Sequence, residues 1–201
     1  MTDNLFMLFI NIFFAAAIVE NVVLYYFLGA CPLISISDSL EASLQMGVTV
    51  TFVMVITACT NNIIYSYVLA PYNLEYLYLL FFILVIAAVT QFLEALLDRF
   101  FPSVYASFGI FLSLITVNCA ILGVAMFSML REYDLFTTAV YSLGSGIGWT
   151  FVICVLASIK KRISFDKVPL QLGKIGVTMV IAAVLAMAFG GVAEFISGVG
   201  L

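Results

Sequence analysis

The chain has no histidine among its 201 residues. That removes imidazole both as a metal ligand and as a proton relay. Charge is nearly as scarce. Asp, Glu, Lys and Arg together make up 9% of the chain and leave a net charge of −4. The few charges lie at the ends of apolar segments, so no basic patch points to nucleic acid. No nucleotide motif and no flavin-attachment signature occur on a polar loop, which argues against an independent catalytic site. The N-terminus carries neither a basic n-region nor a small-residue cleavage site, so the first apolar stretch is expected to be a retained helix. The four cysteines sit in apolar sequence, unlike a disulfide framework.

What fills the chain instead is hydrocarbon. It is 65% hydrophobic with a mean hydropathy of +1.26. A soluble domain of this length has too little polar surface to cover so much apolar side chain. The bilayer is therefore the expected solvent. A helix needs about 20 apolar residues to cross the hydrocarbon core. Six segments qualify: 4–28, 46–70, 74–97, 104–130, 135–159 and 173–196. Backbone groups in lipid must be satisfied internally, and no barrel-type alternation is present, so these segments read as helices. Pro71 with Asn73, Arg99 to Pro102, and Arg131 to Asp134 mark the turns.

Six crossings put both termini on one face. Arg99, Lys160, Lys161, Arg162, Lys167 and Lys174 then share the opposite face, and Arg131 alone lies with the termini. The positive-inside rule places the Lys160–Lys174 loop in the cytoplasm of an inner or plasma membrane and both termini outside.

Val85-Ile86-Ala87-Ala88-Val89 recurs as Val180-Ile181-Ala182-Ala183-Val184, an offset of 95. The match equates the third span with the sixth. It divides one membrane domain into repeats over 1–98 and 99–201. Three crossings are an odd number, so the second repeat must be inverted. The expected fold is an all-α integral membrane protein: six transmembrane helices in two inverted three-helix repeats, with broken helices at the midplane. Gly29 and Pro32 in span 1 predict a non-helical stretch over 29–33, followed by a new short helix. Asn118 and Gly123 give span 4 a weaker break.

Cys31 and Cys119 occupy equivalent places in spans 1 and 4. A thiol in lipid either packs as a small hydrophobe or binds a metal. The placement beside breaks in both halves favours ligation. Two thiolates fall short of an iron–sulfur cluster, which takes four. Cys59 and Cys154, also offset by 95, leave a four-cysteine site within the chain open. Neither has a helix-breaking neighbour, so packing is the expectation for both. Glu20 beside Asn21 is a functional carboxylate, or one near the outer interface, or one hydrogen-bonded to Asn21. Glu94 with Asp98 and Arg99 reads as a snorkelling ion-pair cluster. Asn61 and Asn62 either line a pathway or bond between helices, and Gly144-Ser145-Gly146-Ile147-Gly148 reads as a close-packing face.

Several stretches resemble one known family: Val19-Glu20-Asn21, Phe27-Leu28-Gly29-Ala30-Cys31-Pro32, Gln91-Phe92-Leu93-Glu94, Leu97-Asp98-Arg99-Phe100-Phe101-Pro102, Leu114 to Gly123, and Gly144 to Trp149. Together they are similar to the RnfA/NqrE family over nearly the whole chain. Leu-Gly-x-Cys and Asn-Cys-Ala are the specific motifs. The resemblance implies a membrane subunit of an ion-translocating oxidoreductase. It also implies that Cys31 and Cys119 ligate half of a [2Fe-2S] cluster, with a sister six-helix subunit of the RnfE/NqrD type supplying the other two thiolates. Flavin-bearing and NAD-binding subunits would complete the complex.

Cys31-Pro32 and Leu122-Gly123-Val124-Ala125 look like RnfA, whereas Glu20-Asn21 and Gly146-Ile147-Gly148-Trp149 look like NqrE. The balance leans to Rnf, coupling ferredoxin and NAD to Na+ or H+ movement. The alternative is the Nqr type, coupling NADH and quinone to Na+. A Ser-Lys-Lys stretch common in the family is replaced by Ser37-Asp38-Ser39, which removes basic charge from that loop. Outside the resemblance, inverted repeats fit a secondary transporter without a redox centre equally well.

Overall fold

The computed structural model describes residues 2–36, 39–71, 75–100, 115–116, 118–163 and 173–198. Among them every regular element is helical. Helix α1 (Thr2–Phe14) passes into a π turn (Ala15–Val19), and the chain then leaves helical geometry at Glu20. A short α2 (Ala30–Ile36) follows. Helix α3 (Leu40–Ile64) starts at Ser39, whose hydroxyl accepts the Ala42 N–H, and ends in a second π turn (Tyr65–Leu69). A 3₁₀ turn (Glu75–Leu77) leads into α4 (Tyr78–Phe100). The second half holds α5 (Cys119–Leu130), α6 (Leu135–Arg162) and α7 (Gly173–Gly198).

Among the described residues, four helical stretches are long and apolar enough to cross a membrane: Leu40–Leu69, Tyr78–Leu96, Leu135–Arg162 and Ile175–Phe195. Two apolar helices are shorter, Met7–Val19 and Cys119–Leu130. These two belong to the spans expected to be broken. Most of the first part of span 4, Asn73, Pro102 and Lys167 lie outside the described residues.

Helix α6 is the axis of the fold. It packs antiparallel to α3 through reciprocal sockets. A Cβ on Gly47 would lie 2.3 Å from Thr150 Cγ2, and one on Gly146 would lie 2.6 Å from Thr51 Cγ2. Glycine at both positions lets the two threonines nest, with their hydroxyls 3.2 Å apart. Close approach through small residues is how helices associate where no hydrophobic force separates protein from solvent. On another face, Gly144 abuts the Phe13 carbonyl and Gly148 the Ala17 carbonyl, so α1 runs parallel to α6. The expected close-packing role of Gly144 to Gly148 is thus observed. Trp149, Tyr141, Ile153 and Leu156 fill the core around this axis. Helices α4 and α7 are peripheral: only 22% and 18% of their apolar windows are buried, against 56% for α6.

The break in span 1 is displaced from its expected place. Residues 29–33 are helical from Ala30 onward, and the non-helical stretch is 20–29. Pro32 is only the third residue of α2. The N–H it lacks is one that no intrahelical carbonyl would accept in a first turn, so proline is compatible there. The break is set earlier, by Asn21.

Candidate functional site where two chain breaks meet

Each break is organised by an asparagine. Asn21 Oδ1 accepts the Val23 N–H at 3.1 Å and the Leu24 N–H at 3.4 Å, and its Nδ2 donates to the Ala17 carbonyl at 2.9 Å. Asn118 caps α5, its Oδ1 accepting the Ala120 N–H at 2.9 Å. Both side chains supply the backbone partners that the interrupted helix no longer provides. In a bilayer those groups have no water to turn to.

From its break the chain doubles back along α5. The Tyr26 ring lies 4.6 Å from that of Phe127, and the Leu28 side chain fills the space above Gly123. Gly29 then reaches the start of α5 in left-handed conformation, φ +80°. A Cβ there would sit 2.5 Å from Trp149 Nε1, 3.0 Å from Ala120 Cβ and 3.3 Å from Asn118 Oδ1. Only glycine meets both the conformation and the space. The Gly29 N–H donates to Cys119 Sγ at 3.0 Å. Phe27, exposed, takes φ +55°, a strained conformation for a bulky residue.

The two sequence-predicted site residues therefore flank one junction, in different settings. Cys119 is half-buried, its sulfur held by Gly29 N–H, whereas Cys31, the second residue of α2, is exposed. Cys59 and Cys154 are half-buried on α3 and α6, and Cys154 packs against the core.

Among the described residues Glu20 makes no side-chain hydrogen bond to Asn21. It forms an ion pair with Arg131, in the turn after α5. Arg131 also donates to Tyr133 Oη at 3.3 Å and lies 5.5 Å from the Tyr141 ring centre. Burial alone would lower the Arg131 pKa. The hydrogen bonds to Tyr133 and Glu20 and the Glu20 charge more than offset that and raise it. The group stays cationic. Asn62 bonds between helices, donating to the Tyr133 carbonyl at 2.9 Å and to Thr138 Oγ1 at 3.2 Å. Asn61 is fully buried, and neither of its amide atoms has a partner among the described residues. Glu94 is half-buried on α4; the side chain of Asp98 lies outside what is described.

Sequence reading missed Arg131 and Trp149 as residues of this site. The available signal was the single tryptophan of the chain, placed directly after the glycine-rich stretch.

Comparison with known proteins gives a consistent answer. Residues 9–196 match a family model described as Rnf-Nqr subunit, membrane protein. A relative from Proteus mirabilis, named as the E subunit of Na(+)-translocating NADH-quinone reductase, is 41% identical over 90% of this chain and 94% of its own length. Proteins of the same name from Psychromonas ingrahamii and Methylococcus capsulatus are 41% and 38% identical, each over 90% of this chain and 95% of their own.

These relatives correct one expectation. None of their names carries an iron–sulfur centre, and no three His, Cys, Asp or Glu converge on a metal position among the described residues. Cys31 and Cys119 are therefore not assigned as half of a [2Fe-2S] cage, contrary to the sequence-based expectation. The lean to Rnf finds no support in the names either. With a family match that spans nearly the whole sequence, the chain belongs to the Rnf-Nqr family of membrane subunits.

Proposed function

We propose that this chain is the E-type membrane subunit of a Na+-translocating NADH-quinone reductase, and that it works through the junction of its two breaks. The observation that carries the reading is the identity of about 40% to proteins of that name over 90% of the chain. It contributes to an ion-translocating oxidoreductase without a catalytic centre of its own. Cys31 and Cys119 are its central side chains. Cys119 is fixed inside the junction, and Cys31 stands at the surface where a sister six-helix subunit packs.

Two breaks, each capped by an asparagine and each in a shortened apolar helix, support the inverted-repeat reading with its boundary near residue 98. The basic end of α6, Lys160 to Arg162, supports a cytoplasmic position for that end and external termini. The peripheral faces of α4 and α7 fit lipid and neighbouring subunits. The ferredoxin–NAD reading of the Rnf type retains one observation in its favour, the RnfA-like Cys31-Pro32 and Leu122 to Ala125.

Deleting the chain from its native membranes and restoring it tests the assignment. Na+-stimulated NADH–quinone reduction should disappear and return. Loss of ferredoxin-dependent NAD reduction, with NADH–quinone reduction intact, would instead establish the Rnf reading. A variant with cysteine only at position 31 should cross-link into the sister subunit of the assembled complex.

A further inference from the structure

Helices α3 and α6 enclose a hollow of about 650 Å³ on the outward side of their contact. Its floor is Thr51 and Thr150, and its walls are Val48 and Phe52 of α3 and Ile147 and Phe151 of α6. The glycine sockets draw the two helices together and set the floor low, while the four wall residues stand 45% to 63% exposed. Both threonine hydroxyls bond back into their own helices. Thr51 donates to the Gly47 carbonyl and Thr150 to the Gly146 carbonyl, each at 2.8 Å. Neither then needs water. The result is a concave and chemically apolar trough, a shape that takes a hydrocarbon chain.

A second hollow, of about 360 Å³, continues the first along α6. The two share Phe151 and Cys154, and the second passes Ser158 and ends at Arg162. Ile147, Phe151, Cys154, Ser158 and Arg162 recur at spacings of three and four, which puts them in one stripe on the helix. The Ser158 hydroxyl is turned onto the Cys154 carbonyl, 2.8 Å away. The first groups able to hold a charge are therefore at the end of the stripe, Arg162 with Lys161 beside it. Both are exposed. Among the described residues neither forms an ion pair, with Glu41 in the first turn of α3 or with any other carboxylate. Asp38 lies outside the described residues.

The dimensions fit one leaflet of a bilayer. From Arg162 to Ile147 helix α6 rises about 22 Å. Half a bilayer, headgroup region included, is about 20–22 Å. A cationic pair at headgroup depth, with an apolar trough running from it to the midplane, is complementary to an amphiphile with an anionic head and an acyl tail. The trough offers no free hydrogen-bonding group to set the register of a helix against it, which favours a lipid chain over another subunit.

We propose that this groove binds an anionic phospholipid, with one acyl chain lying between α3 and α6 and the phosphate seated on Arg162 and Lys161. The site needs only the bilayer and does not depend on the function proposed above.

Photo-cross-linking tests it. The full chain is reconstituted in phosphatidylcholine vesicles with a small admixture of phosphatidylglycerol that carries a diazirine in its acyl chain, and adducts are read by peptide mass spectrometry. Phe52, Phe151 and Cys154 should be labelled, at a yield at least about fivefold above that from phosphatidylcholine with the same chain. Arg162→Gln should lower the phosphatidylglycerol yield about fivefold, the weight of one basic residue beside an anionic lipid, and leave the phosphatidylcholine yield unchanged. Val48→Trp, on an exposed wall, fills the trough and should lower the adducts with Arg162 intact. Equal yields from the two lipids, indifference to either substitution, or adducts no denser in the groove than at the exposed Leu80 of α4 and Met187 of α7 would overturn the site. So would a groove free of lipid adducts when the assembled complex is irradiated in the same way, since a neighbouring subunit would then be the occupant.

Discussion

The backbone N–H of Gly29 donates to the sulfur of Cys119, 3.0 Å away across 90 residues of sequence. This one bond ties the break in the first half to the start of α5 in the second. It depends on a glycine whose conformation and surroundings both exclude a side chain.

Gly29→Ala should therefore destabilise the chain by about 2–5 kcal/mol. Left-handed geometry costs an L-residue about 1–2 kcal/mol, and overpacking against Trp149 adds about 1–3. Thermal unfolding of the purified chain in detergent reads the loss. An unchanged midpoint would mean that Gly29 is not wedged against the indole.

Asn118→Ala removes the cap of α5 and should cost about 1 kcal/mol, whereas Asn118→Ser keeps a capping oxygen and should cost less. Asn21→Ala should show the same direction at the other break. Equal midpoints for the Ala and Ser variants at 118 would contradict the cap.

Gly47→Ala drives a methyl group into Thr150 and should lower stability by about 1–3 kcal/mol. Thr150→Ala added to it should restore part of the loss, because the methyl and hydroxyl groups of Thr150 are its closest neighbours there. Strict additivity of the two substitutions would refute the socket.

Glu20→Gln and Arg131→Gln each leave a charge without its partner. Both side chains are one-third exposed, so the loss is smaller than for a fully buried pair. Each single variant should unfold at lower temperature than wild type. The double variant should recover part of the difference, with a coupling of about 1 kcal/mol in the double-mutant cycle.

Cys31→Ser and Cys119→Ser should lower the Na+-stimulated NADH–quinone turnover of the assembled complex several-fold. Cys59→Ser and Cys154→Ser should leave it within about twofold of wild type. Steady-state turnover of the four variant complexes decides, and a loss confined to the second pair would assign the function to the wrong thiols.

Hydropathy alone located α4, α6 and α7 to within four residues and α3 to within six, because an apolar length of this kind has one solution in a bilayer. The breaks were harder. Pro32 drew the expected interruption toward itself, yet a proline in a first helical turn breaks nothing. Asn21 made the interruption by offering the backbone a substitute acceptor. Asn118 was visible as a weak signal and proved to be the corresponding cap. The Glu20–Arg131 pair was not legible, since no local pattern links two residues 111 positions apart. The stripe from Ile147 to Arg162 was visible in the sequence, but whether it borders a groove depends on what α3 sets opposite it.

The distance between Glu20 and Arg131 also bears on how the protein is made. Synthesis is vectorial, so Glu20 enters the insertion machinery 111 residues before its guanidinium partner exists. The N-terminal half must wait with an uncompensated carboxylate, a non-helical stretch and a glycine that has nothing to lean on. It can mature only when α5 and α6 arrive to complete it. The two halves are thus successive instalments of a single assembly event, and truncation after α4 should yield a ward of the membrane proteases rather than half a protein.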